Sequence, residues 1–241
     1  MAELPTTLDD AIAQAQTAIQ AAIAAGYTRL QVEILFPELK PLPIAGTFLT
    51  AFADWGSGLK VFFTDAGTAA LAKRDWGEVP FQIRSLDVAG ARQTTAVEEQ
   101  VDPDDQLYIF VAPSAVEVAP VEQICNMAGD RPIVLFNARL EDVSTIGIGY
   151  AGRQLRQRFL DTIEPCYHLR PLDDHSAVLR CYPDSWQVWL ETEGVYQAIA
   201  EVAEKPDSEK LDEIFAAATG SQQSRQGLLS GLQQFLRALG R

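Results

Sequence analysis

The stretch Leu59–Arg74, LKVFFTDAGTAALAKR, decides the fold class of this chain. Its first six residues form a near-continuous apolar run, which is typical of a strand that is covered on both faces. Residues 66–74 then read as a helix. Asp65 stands between the two, where an aspartate either caps the following helix or carries chemistry at the edge of an open α/β sheet. We favour the capping interpretation.

Other strands are predicted along the first half of the chain. An amphipathic helix between Thr6 and Gly26 precedes the first of them, because apolar residues recur there at helical spacing. Strands that alternate with helices favour an α/β sheet with parallel pairs. The predicted strands are Arg29–Phe36, Phe81–Leu86, Leu107–Ala112 and Ile133–Phe136.

The pattern changes at Cys166. Two apolar runs, Cys166–Leu169 and Ala177–Tyr182, flank a polar turn and predict an antiparallel hairpin, and Gln187–Glu191 extends the same sheet. We expect Val195–Glu204 to be helical. The prediction is a single three-layer α/β domain over residues 4–204, with a sheet that is parallel early and antiparallel late. A C-terminal helical tail over 205–241 follows, with helices near Ser208–Ala218 and Gln226–Leu239.

The charge of the chain is unevenly distributed. The net charge is −14, which argues against broad binding of DNA or RNA, since phosphates are neutralised by an excess of Lys and Arg. All 33 acidic and 16 of the 19 basic residues precede position 214, so this part carries −17 and the remainder +3. No signal peptide or apolar run of about 18 residues is visible, and only three cysteines occur. These features predict a cytoplasmic protein.

A literal G-x-G-x-x-G motif occupies Gly147, Gly149 and Gly152, and an arginine-bearing helix follows it. In a dinucleotide site such glycines let a pyrophosphate approach a helix N-terminus. Here the preceding predicted strand ends near Phe136, about ten residues too early for that fingerprint. The open alternatives are a glycine-rich loop without a ligand and an anion site that uses Arg153 and Arg156.

Two cysteines and both histidines fall within sixteen residues, which raises the question of a metal site. In the predicted hairpin, Cys166 and Cys181 lie nearly opposite each other. His175 lies at the tip, roughly 20 Å from the two thiols, which is too far to share one metal ion. We therefore predict no metal, and treat Cys166 and Cys181 either as packed thiols or as a redox pair. No hydrolase or P-loop signature is present, so we name no catalytic residue and no cofactor, and an enzyme is the less favoured class.

The last predicted helix is amphipathic and basic. It either packs on the domain or docks on a partner or an anionic membrane surface. Its apolar face and its arginine are Leu228, Leu232, Phe235, Leu236, Leu239 and Arg237.

Taken together, several segments resemble a family of domains of unknown function from cyanobacteria and chloroplasts. The resemblance covers residues 4–191, although Asn137-Ala138 stands where Asn-Pro is expected. The segments that carry it are LPTTLDDAIAQAQTAI, GYTRLQVEILFPEL, VFFTDAGTAALAKRDWG, FNARLEDV, GIGYAGRQLRQRF, CYHLRPL and CYPDSWQVW.

Members of that family include the low photosystem II accumulation 3 type. The resemblance therefore implies a soluble, non-enzymatic factor that assists photosystem II assembly or maintenance. Its partner would be a photosystem II subunit or assembly protein, met at the thylakoid surface without a transmembrane span. Some plant relatives are similar to fusions with an adenylate-kinase-like domain. The alternative is thus a nucleotide- or phosphate-binding α/β protein, possibly an enzyme, that uses residues 147–152 and the following arginine helix.

Overall fold

The apolar runs of the sequence form the strands of one nine-stranded sheet. The structure is a computed structural model, and it describes residues 2–37, 39–87, 96–141 and 150–219. The order is β3-β2-β4-β5-β1-β6-β7-β8-β9. Every neighbouring pair from β3 to β6 is parallel, and the pairs from β6 to β9 are antiparallel. The strands are β1 Arg29–Ile34, β2 Leu59–Phe63, β3 Gln82–Ser85, β4 Leu107–Val111, β5 Ile133–Phe136, β6 Glu164–Pro171, β7 Ser176–Cys181, β8 Trp186–Thr192 and β9 Val195–Val202.

Helices join the strands and cover the sheet. Asp65 caps the helix after β2, as predicted, because its carboxylate accepts a hydrogen bond from the Thr68 backbone N–H at 2.8 Å. The helices are α1 Leu8–Ala24, α2 Pro41–Leu49, α3 Ala66–Trp76, α4 Val118–Ala128, α5 Tyr150–Arg158 and α6 Ser208–Thr219. Short 3₁₀ segments occupy Thr50–Gly58, Val97–Gln100 and Leu160–Thr162.

Two apolar cores lie on opposite faces of the sheet. The first contains the buried sides of α1, α2 and α3, and the second contains those of α4 and α5. Strand β2 serves both, since Val61 packs in the first core and Phe62 in the second, where its ring stacks on Phe110 at 5.0 Å. The predicted mixed sheet and the α/β class are confirmed.

One predicted element is wrong: the segment Val195–Glu204 is not a helix. It forms strand β9, which pairs with β8 over seven positions from Trp186↔Val202 to Thr192↔Val195. The signal for this hairpin is the turn, because Glu193 and Gly194 have φ of 54° and 80°, as in the tight turns that join antiparallel strands. The apolar spacing of the segment also fits a helix, and pairing with β8 overrides it.

The tail is described only in part. The predicted helix near Ser208–Ala218 is confirmed as α6, whereas Gln226–Leu239 lies outside the described residues, together with the six tail residues named above. Within the described ranges, no helix combines the length and the apolar character that crossing a bilayer requires.

A buried lysine supports the parallel half of the sheet. Lys60 on β2 has a side chain only 1% exposed, and its ammonium donates to Asp105 at 2.8 Å, to Asp102 at 2.6 Å and to the Gln100 carbonyl at 3.0 Å. Asp105 also accepts from the Tyr108 hydroxyl at 3.1 Å, and burial together with this carboxylate raises the pKa of Tyr108. The cluster anchors the connection between β3 and β4 to the sheet.

We expect Lys60→Met to lower the free energy of unfolding by about 3–5 kcal/mol, since Asp105 would remain as a buried charge without a cation. Urea denaturation measures this. The matched control is Lys60→Met combined with Asp105→Asn, which removes both charges and is expected to cost less. Equal losses in the single and double variants would contradict this account.

Candidate functional site

The carboxyl ends of the parallel strands border a large cleft. Its volume is about 1050 Å³, and residues that follow or end β1, β5 and β6 line it, among them Phe36, Arg139 and Arg170. The chain leaves β1 towards the α2 side of the sheet and leaves β5 towards the α5 side. Open α/β sheets bind ligands outside the carboxyl ends of their strands, so this cleft is the candidate functional site.

Asn137 fastens two of these strand ends together. It directly follows β5, and its side chain accepts from the Ile34 N–H at 2.7 Å and donates to the Ile34 carbonyl at 3.3 Å. Its own N–H donates to the Val32 carbonyl at 2.7 Å. Asn137 thus fixes the end of β1 against the end of β5 and forms a rigid floor for the cleft.

The backbone at this edge adopts unusual conformations. Asn137 has a φ of 50°, and Ala112, which follows the adjacent strand β4, has a φ of 52°. Asparagine tolerates the left-handed region, whereas alanine pays a steric cost there. Ala112 is held in place because its N–H donates to the Phe136 carbonyl at 2.7 Å. Strained residues of this kind cluster at functional sites, and both of these line the cleft.

A carboxylate–histidine pair joins β1 and β6 beside the cleft, with Glu33 in the lining and His168 buried behind it. Glu33 and His168 are register neighbours, and the Glu33 Oε2 lies 2.6 Å from the His168 Nδ1. The Lys205 ammonium lies 3.3 Å from the same oxygen and 5.6 Å from the centre of the Trp186 ring. The Trp186 ring in turn lies 5.1 Å from the His168 ring. The segment after β9 is therefore seated on this side of the sheet.

The charge state of the pair follows from its surroundings. Burial lowers the pKa of His168 despite the nearby Glu33 carboxylate, and the positive charges of Lys205 and Arg170 act in the same direction. Burial opposes ionisation of Glu33, but its contacts with His168 and Lys205 hold the pKa of that carboxyl below its usual value. We therefore assign a neutral imidazole that donates through Nδ1–H to an ionised Glu33.

The cations around the cleft are not equally neutralised. Lys205 is paired with Glu33, and Glu141, which also lines the cleft, is paired with Arg156 at 3.0 Å. Arg139 and Arg170 are exposed at the cleft, and neither guanidinium has an ion pair or hydrogen bond within the described part of the chain. The cleft thus carries two free positive groups in a strongly acidic protein.

The predicted anion cradle is only partly visible. Gly147 and Gly149 lie outside the described residues, while Gly152 is buried near the start of α5. Arg153 is exposed, and Arg156 is committed to Glu141. None of these three lines the cleft. The anion site at this motif stays a prediction.

The two cysteines of the hairpin occupy neighbouring positions on paired strands. Cys181 pairs with Tyr167, and the Tyr182 N–H donates to the Cys166 carbonyl at 2.8 Å. Burial raises the pKa of the Cys166 thiol to about 12 and that of Cys181 to about 11, which disfavours the reactive thiolate. The redox pairing stays a prediction.

The histidines are separated as the hairpin geometry predicts. His175 lies in the turn before β7, and its Nδ1 is 2.8 Å from Glu191, whereas His168 is buried in β6. Across the described ranges, no three His, Cys, Asp or Glu side chains are grouped so that they could hold a metal ion.

The residues of the cleft were not singled out from the sequence. Asn137 and Arg170 directly follow predicted strands, as Asp65 does, so the reasoning applied to Asp65 identifies them as candidates. Glu33 and Lys205 carry no such signal, because Glu33 lies inside a predicted strand and only the path after β9 brings Lys205 to the cleft.

These features define a three-layer α/β domain with a cationic cleft at the carboxyl edge of its parallel strands. The chain matches the family described as Domain of unknown function (DUF1995) over residues 5–213. Since the match spans most of the 241 residues, the chain belongs to this family.

Replacing Asn137 tests the floor of the cleft. Asn137→Ala leaves the Ile34 N–H without its acceptor and puts alanine in the left-handed region, so we expect a loss of about 2–4 kcal/mol in unfolding free energy. Glycine adopts this backbone conformation without strain, so Asn137→Gly loses only the side-chain hydrogen bonds to Ile34. We expect its unfolding free energy to fall by about 1–3 kcal/mol. Chemical denaturation compares the two. If both variants lie within about 0.5 kcal/mol of wild type, Asn137 does not have this role.

The pKa of His168 predicts a pH dependence of stability. Between this lowered pKa and the ordinary value of 6.5, the unfolded chain binds more protons than the folded one, so stability falls as the pH drops below 6.5. The unfolding free energy, measured by denaturation at about pH 7.5 and about pH 5.5, is expected to show this fall, and the fall is expected to be smaller in His168→Gln. Both pH values lie above 4.5, the ordinary pKa of a carboxyl such as Glu33, so Glu33 contributes little to the difference.

His175 supplies the control for that experiment. Hydrogen bonding and the charge of Glu191 raise its pKa, so its contribution has the opposite sign and is lost as the pH rises through the folded value. His175→Gln is therefore expected to keep the fall in stability towards acid pH. A fall that is unchanged in His168→Gln would contradict a neutral buried imidazole.

Proposed function

We propose that the protein is a non-enzymatic factor that assists photosystem II assembly or maintenance through protein contacts at the thylakoid surface. Its membership of the DUF1995 family supports this proposal, together with the resemblance to the low photosystem II accumulation 3 type over residues 4–191. In this proposal the protein acts in a photosynthetic cell, on the cytoplasmic side of the thylakoid membrane or its chloroplast equivalent, and binds that membrane only peripherally.

The proposed contact surface is the exposed outer side of α5. Tyr150 is 71% exposed, and Arg153, one turn further along the helix, is exposed without an ion pair in the described part of the chain. The opposite side of α5 is fixed to the domain, because Leu155 is buried in the second core. Tyrosine and arginine are enriched among the residues that dominate binding energy at protein interfaces.

Two ion pairs hold this helix in place. Arg156 pairs with Glu141 at 3.0 Å, and Arg158 pairs with Glu122 on α4 through two hydrogen bonds, at 2.6 and 2.9 Å. A helix fixed in this way loses little further conformational freedom when a partner binds its exposed side. α5 therefore supports recognition of a folded protein partner.

The test is quantitative co-purification from solubilised thylakoids of a cyanobacterium that expresses the tagged chain. We expect wild type to recover photosystem II subunits, and Tyr150→Ala with Arg153→Ala to recover about tenfold less or lower. The matched control is Leu71→Ala with Lys73→Ala, two exposed residues of α3 on the other face of the sheet, which is expected to behave as wild type. If wild type recovers no photosystem II subunit above background, the proposed function is wrong.

A further inference from the structure

The distribution of arginine partners points to the cleft. Most arginines of the described residues are committed to a carboxylate, an amide or a backbone carbonyl, as Arg74 is to Asp75 and Arg180 is to Glu164. Three guanidiniums within the described ranges have no such partner, and two of them, Arg139 and Arg170, line the same cleft. Both guanidiniums are therefore available to bind a group from outside the chain.

The acidic residues of the cleft do not cancel these two charges. The Glu33 carboxylate is held by His168 and Lys205, and the Glu141 carboxylate is held by Arg156. Both therefore already have partners from the protein. A guanidinium presents several N–H donors in a plane and binds phosphate, sulfonate or carboxylate groups through paired hydrogen bonds.

The cleft also has an apolar part and is of ligand size. Phe36, Leu140 and Ile163 contribute to its wall, and its volume of about 1050 Å³ is that of a site for a small organic molecule. The Asn137 hydrogen bonds to Ile34 fix the floor before any ligand arrives. A site that is already formed binds without the cost of ordering its groups.

We propose that this cleft binds a small organic anion. Arg139 and Arg170 hold its phosphate, sulfonate or carboxylate group, and its aromatic or aliphatic body lies against Phe36, Leu140 and Ile163. This site differs from the glycine-rich motif and from the exposed side of α5, and it does not depend on the proposed role in photosystem II assembly.

Two dyes separate the anionic contact from the apolar one. Anilinonaphthalene sulfonate carries a sulfonate on an aromatic body, and N-phenylnaphthylamine is its neutral counterpart. Fluorescence titration of the folded protein gives the dissociation constant of each. For Arg139→Gln with Arg170→Gln we expect about tenfold or more weaker binding of the sulfonate and unchanged binding of the neutral dye, since only the charged hydrogen bonds are lost.

Arg74→Gln is the matched control, because Arg74 is also exposed but belongs to α3 on the other face of the sheet and does not line the cleft. It is expected to bind both dyes as wild type does. The proposal is overturned if the double variant binds the sulfonate as wild type does. It is equally overturned if the double variant loses both dyes, since the arginines would then support the apolar wall rather than an anion.

Competition then identifies the anionic group. Displacement of the sulfonate dye by AMP indicates phosphate monoesters, and displacement by octanoate indicates carboxylates. Inorganic phosphate alone is expected to compete weakly, because it lacks a body to place against Phe36. If neither AMP nor octanoate displaces the dye, the cleft binds sulfonates in preference to phosphate monoesters and carboxylates.

Discussion

The fold depends on one constraint, which is that the central strands are covered on both faces. Every residue of β2, β4 and β5 is buried, so apolar layers are required above and below the sheet. Helices α1 to α3 supply one layer, and α4 and α5 supply the other. Because parallel strands need a crossover between them, the same constraint places their carboxyl ends along one edge.

The cleft is a consequence of that edge. The connections that leave β1 and β5 depart to opposite faces, and Asn137 ties the two strand ends together between them. The antiparallel half adds the outer wall through Arg170 on β6 and Lys205 after β9. The Arg156–Glu141 ion pair joins the cleft to α5, the helix that carries the proposed partner surface.

The sequence predicts the sheet better than it predicts the cleft. Runs such as LKVFFT specify strands because their burial is encoded locally, and Asp65 is recognisable as a cap from its position alone. Strand β9 was missed because its apolar spacing fits a helix, and only pairing with β8 decides the conformation. Arg139 and Arg170 matter because the carboxylates of the cleft pair with other cations and leave these two arginines unpaired. Only the long-range ion pairs of the fold show this, so it cannot be predicted from the sequence.

We propose that the carboxyl edge of the parallel strands is the ligand-binding centre of this domain. Mapping backbone amide chemical shifts during titration with anilinonaphthalene sulfonate tests it most directly. We expect the shifts to cluster at residues 33–37, 137–141 and 170–171, which line the cleft. Shifts confined to the arginine helix over 150–158, or scattered over the surface without a cluster at this edge, would contradict it.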